Sequence, residues 1–395
     1  MKNTLILAFA LVYALQADAF EKVALVDSFD FYKVYDVETV TGNVQVLDHV
    51  LLTGANSILW RNCSGGLMRY PSKAEPQHLY EFPFDELRIP DSRKVCGWFK
   101  MDKSETDIFK YMMAECEKRG LKKGVHWPFE EAHWSAWTMG PWNMQRPQYW
   151  CVTYDGMPWF VRSSIAFPEV VKHKLELLDE VLDRGADTVF IDLFRTGGWS
   201  PACEYVKPVL EEWARRYPGE KPPVNNYDPR WLSTVSKFQH DFLRAVRSRA
   251  KARNRPIRIW MSIVAASEER CDYNMKERGI DWRALVKEGV LDGIVVMTVD
   301  IDKGNLWESM SRIYRHVVGE CKGKAKVYMP VRAYNFGGSG IADYCKFSGL
   351  SERLVARKLL ELADEAGADG IAMECVDYEN YSPAVCEEIR NYKRK

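Results

Sequence analysis

Four acidic residues stand at or just beyond the ends of short apolar runs. They are Asp27 behind residues 23–26, Asp192 behind 188–191, Asp300 beyond 293–297 and Glu374 behind 370–373. An ionised carboxylate next to an apolar run is costly unless it faces a polar mouth, so the pattern points to carboxylates gathered around one opening. Paired carboxylates across a concave site are what cleavage of a glycosidic bond requires. One stays ionised to attack or stabilise the sugar cation, and the other keeps a raised pKa to protonate the leaving oxygen. Asp192 is the expected nucleophile or cation stabiliser, and Arg195 is close enough in sequence to hold it ionised. The competing reading is an Asp192–Arg195 structural ion pair at the rim. Asp300 and Glu374 are alternative candidates for the general acid, and each has a competing reading as a hydrogen-bonded rim carboxylate.

The remaining candidates are substrate contacts. Asp27, Arg61, His126, Trp127, Glu130, Trp260, Arg332 and Tyr334 lie in or just after apolar runs, and Trp134 follows in an aromatic stretch. That stretch, 126–160, also holds Trp137, Trp142, Tyr149, Trp150, Tyr154, Trp159 and Phe160, in a chain with 14 Trp, 19 Tyr and 17 Phe. Aromatic faces pack against the C–H faces of sugar rings, so such a loop suits carbohydrate; its other reading is a hydrophobic cluster that pins a long lid. His126, Glu130, Glu131 and His133 are of metal-ligand type, but their spacing is not H-E-x-x-H and no metal is expected. The glycines of 335–340 read as a flexible turn rather than a phosphate nest. No cofactor is expected, because Asp27-Ser28-Phe29-Asp30 follows the first run where a dinucleotide fold needs G-x-G-x-x-G.

What must position these residues is a repeated strand-then-helix unit. Strand candidates are 23–26, 57–60, 124–127, 188–191, 258–261, 293–297, 326–329 and 370–373. Helix candidates between them include 107–118, 168–182, 231–252, 282–287, 306–318 and 352–366. Three helices close on a glycine turn and run at once into the next strand, at Gly185, Gly289 and Gly367. Eight such units predict an α/β fold, a (β/α)8 TIM barrel with a long aromatic-rich loop after strand 3. An open doubly wound sheet is the competitor. In a barrel the functional residues belong at the C-terminal ends of the strands, where the candidates above fall.

The chain has 395 residues with 55 Lys+Arg and 55 Asp+Glu, a zero balance that argues against a nucleic-acid partner. Lys2, the apolar run 5–15 and Ala17-Asp18-Ala19 have the form of a cleaved secretory signal, with cleavage expected after Ala19. Residues 20–395 are then one exported barrel domain, secreted or periplasmic, without membrane insertion, and monomeric or weakly associating. Its ten cysteines show no C-x-x-C pair and read as buried thiols or a few bridges.

Several segments together resemble the glycosyl-hydrolase-like family 10 proteins, secreted bacterial barrels. The carriers are Asp155-Gly156, Ala166-Phe167-Pro168-Glu169-Val170, the run from Ala186 through Asp192 to Arg195, the helix 238–249 feeding 257–262, and Asp281-Trp282 through Asp292. The resemblance implies a (β/α)8 barrel that hydrolyses glycosidic bonds, with the Asp-x-x-Arg motif of Asp192 and Arg195 in the site. This sequence departs from the pattern at Thr188, where relatives have glycine, and at Thr196-Gly197-Gly198-Trp199 after the arginine. By analogy with barrel glycosidases that carry an aspartate nucleophile on strand 4, the acid falls on strand 5 or 6, which favours Asp300. A carbohydrate-binding barrel without catalysis is the alternative from another class. Ester or amide hydrolysis lacks a G-x-S-x-G elbow.

Overall fold

The computed structural model describes residues 20–31, 34–37, 39–64, 67–75, 107–128, 140–193, 200–265, 273–332, 340–374 and 381–394. Eight strands each lead into a helix. They are β1 (Glu21–Val26), β2 (Ser57–Arg61), β3 (Lys122–Pro128), β4 (Thr188–Asp192), β5 (Arg258–Ala265), β6 (Gly293–Val299), β7 (Lys326–Arg332) and β8 (Gly370–Glu374). Their helices are α1 (Val40–Leu51), α2 (Ile108–Lys118), α3 (Pro168–Asp183), α4 (Pro229–Lys251), α5 (Trp282–Lys287), α6 (Leu306–Cys321), α7 (Glu352–Glu365) and α8 (Pro383–Asn391). All strand pairs are parallel, and β1 pairs with both β2 and β8, so the sheet closes. The fold is therefore the (β/α)8 barrel expected, and an open doubly wound sheet is excluded. All eight expected strands are present. α1 and α8 are additions to the expected helices.

Local chemistry explains the ends. At Gly185, Gly289 and Gly367 the backbone φ is 99°, 70° and 80°, a left-handed conformation that costs glycine little. In each case the residue after the glycine donates its N–H back to the helix, as Ala186 does to Val181, Val290 to Leu285 and Ala368 to Ala363. The aspartates that follow work at this N-terminal end of the strands. Asp292 accepts from the Ile259 N–H at 2.7 Å, Asp369 accepts from the Val327 N–H at 2.9 Å, and Asp187 pairs with Arg255. Position along the strand thus separates structural carboxylates from candidates for chemistry.

Strand alternation divides the apolar residues into two layers. Val23, Leu25, Leu59, Phe190, Trp260, Val295, Met297, Tyr328 and Ala372 form a cluster inside the barrel. Their sequence neighbours, such as Ala24, Ile58, Val189, Met261 and Ile371, pack with the helices in a second, larger cluster. The interior accommodates the Trp260 indole by placing Gly293 beside it, since a Cβ on Gly293 would lie 2.6 Å from Trp260 Cδ1. Gly293→Ala is accordingly expected to destabilise the fold by about 1–3 kcal/mol through overpacking, read as a lower urea midpoint with an unchanged slope. An unaltered midpoint would show that the indole can move aside.

The connection from β3 to α3 is more than a loop. It contains an antiparallel hairpin of Trp150–Val152 with Pro158–Ser163, preceded by a short helix, Pro141–Met144. Among the described residues no helix is long and apolar enough to cross a membrane. Cys63, Cys116, Cys151, Cys203, Cys321, Cys345 and Cys386 are free thiols.

Candidate active site

Following the inward-facing positions of each strand upward leads to a polar layer. Two residues beyond Leu25, Leu59, Phe190, Trp260 and Ala372 come Asp27, Arg61, Asp192, Ser262 and Glu374, while His126 and Arg332 lie on the inward rows of β3 and β7. Around the closed ring the order is Glu374 on β8, Asp27 beyond β1, Arg61 on β2, His126 on β3, Asp192 on β4, Ser262 on β5 and Arg332 on β7. Charged groups would be costly at this depth without partners, and here they are matched in pairs. Asp27 pairs with Arg61, and Arg69 approaches it from the other side at 3.6 Å. His126 Nε2 lies 2.9 Å from Asp192 Oδ2, with both side chains fully buried. Arg332 Nη2 lies 2.8 Å from Glu374 Oε2.

Further bonds hold these groups in place. Opposite an ionised Asp192, which only accepts, the Nε2 of His126 is the donor at 2.9 Å. Arg61 also donates from Nε to the Cys63 carbonyl at 2.9 Å. Arg332 donates to the Met297 carbonyl at 3.0 Å and to Thr298 Oγ1 at 3.2 Å, where the β5–β6 register shifts and bends β6. The Ser262 hydroxyl accepts from the Leu193 N–H at 2.8 Å, which ties the turn after Asp192 to β5. The Asn274 side chain bonds both the N–H and the carbonyl of Val264, extending β5 at the same end. Asp300, just past β6, is exposed, and its backbone N–H donates to the Ala265 carbonyl at 2.8 Å.

No family model matches the chain, and no curated protein matches it. Solved structures do. The catalytic domain of a β-amylase from Paenibacillus polymyxa superposes with a TM-score of 0.56 at 10% identity, covering 95% of this chain and 98% of that one. A β-galactosidase from the psychrophilic Marinomonas ef1 superposes with a TM-score of 0.54 at 8% identity, covering 94% of this chain and 58% of that one. The barrel is one that glycoside hydrolases use. At such identities the likeness speaks for the fold, and the chemistry must be argued from the residues.

Among the expected site residues, the barrel brings Asp27, Arg61, His126, Asp192, Arg332 and Glu374 into one layer, with Asp300 at the same end. Two tryptophans are corrected. Trp127 follows the inward-facing His126, so it faces outward and is 1% exposed in the layer between barrel and helices. Trp260 faces inward but lies two residues below the polar layer, fully buried with its ring centroid 4.4 Å from that of Tyr328. Neither offers a face to a sugar. Glu130, Trp134, Arg195 and Tyr334 lie outside the described residues. His126 is a partner of Asp192, and Arg69, Ser262 and Asn274 are supporting residues that sequence reasoning missed. Among the described residues no group of three or more His, Cys, Asp or Glu is arranged to hold a metal ion.

A second buried acid lies outside this layer. Glu75, in the segment after β2, sits 3.0 Å from His173 Nε2 on α3 and accepts the Trp142 N–H at 2.7 Å, while the Trp142 indole stacks on the His173 ring at 4.3 Å. Burial pushes the Glu75 carboxyl up to about 7 from an ordinary 4.5. Between those values the folded chain keeps a proton that the unfolded chain has released, so raising the pH favours unfolding. The contribution is complete below pH 4.5 and is lost as the pH rises through about 7. Unfolding free energies from urea titrations are expected to fall by roughly 1–3 kcal/mol over that interval, and Glu75→Gln is expected to flatten the change. The same slope in the variant would assign it to other groups.

Proposed function

We propose that the chain is a glycoside hydrolase acting on a polysaccharide or oligosaccharide. The observation that carries this reading is the convergence of Asp27, Asp192 and Glu374, from strands far apart in sequence, on the inner C-terminal ends of one closed barrel. Asp192 is the nucleophile or cation stabiliser. Its buried imidazole partner orients the carboxylate. Glu374, clamped by Arg332 at 2.8 Å, is the candidate for a group that orients substrate. Asp300 is exposed and stands two strands from Asp192 around the ring, which favours it as the general acid. Arg61, Arg332 and His126 supply hydrogen bonds to sugar hydroxyls or hold the groups that do. Membership of the glycosyl-hydrolase-like family 10 group, export after cleavage at Ala19 and a monomeric state belong to the same proposal.

The complete burial of Asp192 supports a second reading, a barrel that binds carbohydrate without cleaving it. Reducing-sugar release from a panel of α- and β-linked polysaccharides separates the two. The hydrolase reading expects turnover on at least one glycan. Binding without release on every glycan would leave the second reading in its place.

A further inference from the structure

The hairpin within the β3–α3 connection presents an unusual surface. From Tyr154 to Trp159 every residue is exposed, and three of them are large and apolar: Tyr154 at 47%, Met157 at 63% and Trp159 at 42%. Exposed aromatic side chains on a mobile tip would be unremarkable, but this arm has a built base. Arg162 and Glu204 form a buried ion pair at 3.1 Å, the Ser164 hydroxyl donates to the same carboxylate, and Cys151 Sγ lies 3.2 Å from Arg162 Nε. Val152 bridges in parallel to Glu204, and the Tyr205 N–H donates to the Val152 carbonyl at 2.9 Å. The tip is closed by Gly156 in a left-handed conformation and by the Thr153 N–H donating to the Met157 carbonyl at 3.0 Å. Tyr154 meets the Tyr205 ring edge-on, with centroids 5.3 Å apart at 85°, and Tyr205 in turn stacks on the buried Trp231 at 4.2 Å.

We infer that this arm is a glycan-binding platform, separate from the carboxylate layer, on which Tyr154 and Trp159 stack the rings of an extended polysaccharide. The inference rests on the carbohydrate-directed reading above and adds a site to it. Scale decides the kind of partner. A standard protein interface takes roughly 20–30 residues a side, whereas three side chains match one or two sugar rings. Rigidity decides the rest, because the Tyr154 ring, already packed on Tyr205, loses little freedom when a ligand stacks on it. The arm also belongs to the loop that follows β3, so it departs from the barrel end where His126 and Asp192 lie.

The experiment is affinity electrophoresis of the full chain in gels containing soluble starch, hydroxyethylcellulose, arabinoxylan or glycol chitin. It requires no turnover, so it reads the arm even if no glycan is hydrolysed, and a failure of the hydrolase reading leaves its result intact. At least one glycan is expected to retard the protein. Tyr154→Ala and Trp159→Ala should each weaken that binding about tenfold, and Trp159→Phe should restore most of it. Equal melting temperatures of all variants establish that they are folded. Retardation by none of the four glycans, equal retardation of the alanine variants, or a ring-dependent dimer in sedimentation without glycan retardation would overturn the inference.

Discussion

Asp192→Asn is expected to reduce turnover on the best glycan by at least about a thousandfold while leaving the fold and its stability nearly intact. The substitution keeps the shape of the side chain and removes its charge. An asparagine carbonyl accepts the His126 Nε2–H as the carboxylate does, so the buried contact at 2.9 Å survives. What is lost is the negative charge that would attack or stabilise a sugar cation. A purely structural role predicts the reverse, a lower unfolding midpoint with turnover unchanged. Urea unfolding and initial-rate measurements on the same preparation separate the roles, and unchanged turnover would remove Asp192 from the mechanism. His126→Gln provides a control, since it alters the orientation of the carboxylate without removing its charge. It is expected to slow turnover less than Asp192→Asn.

Much of the barrel is legible in the chain because each strand is a short run buried on both faces, and such runs are nearly continuous in apolar residues. Thr188–Asp192 and Gly370–Glu374 announce themselves in this way, and so do the carboxylates that end them. Which residue meets which is not legible. His126 is opposite Phe190 in the β3–β4 register, and only the slant of parallel strands in a closed barrel carries its ring to Asp192. Arg195, the nearer candidate in sequence, lies outside the described residues. The orientation of Trp127 was open to deduction, since a residue adjacent to an inward-facing histidine must point outward. The depth of Trp260 was not, because it depends on how far β5 extends past its apolar run. β5 continues to Ala265, four residues beyond the expected end, and Asn274 from the following segment supplies the bonds that allow it. Asn274 carries no motif, so nothing in its own neighbourhood marks that role.

Arg332→Met carries the largest expected cost in stability, about 3–5 kcal/mol, because it takes the guanidinium away from a buried carboxyl group and from two acceptors on β6 at once. Arg332 serves three strands at once. It reaches Glu374 on β8 at 2.8 Å and the Met297 carbonyl and Thr298 hydroxyl on β6 at 3.0 and 3.2 Å, from its own place at the end of β7. Methionine fills a similar volume but donates nothing, so the buried Glu374 carboxyl loses the guanidinium that lies against it at 2.8 Å, where water has little access. Replacing that carboxyl as well, in Arg332→Met with Glu374→Gln, is expected to restore most of the stability. The size of the recovery measures how much of the single-variant loss comes from the carboxyl and how much is lost bonding to β6. Turnover of the double variant then bears on mechanism. If Glu374 orients substrate as a charged group, the restored fold stays slow. A restored fold with full turnover would make the pair a structural clamp and leave Asp300 as the candidate acid to act with Asp192.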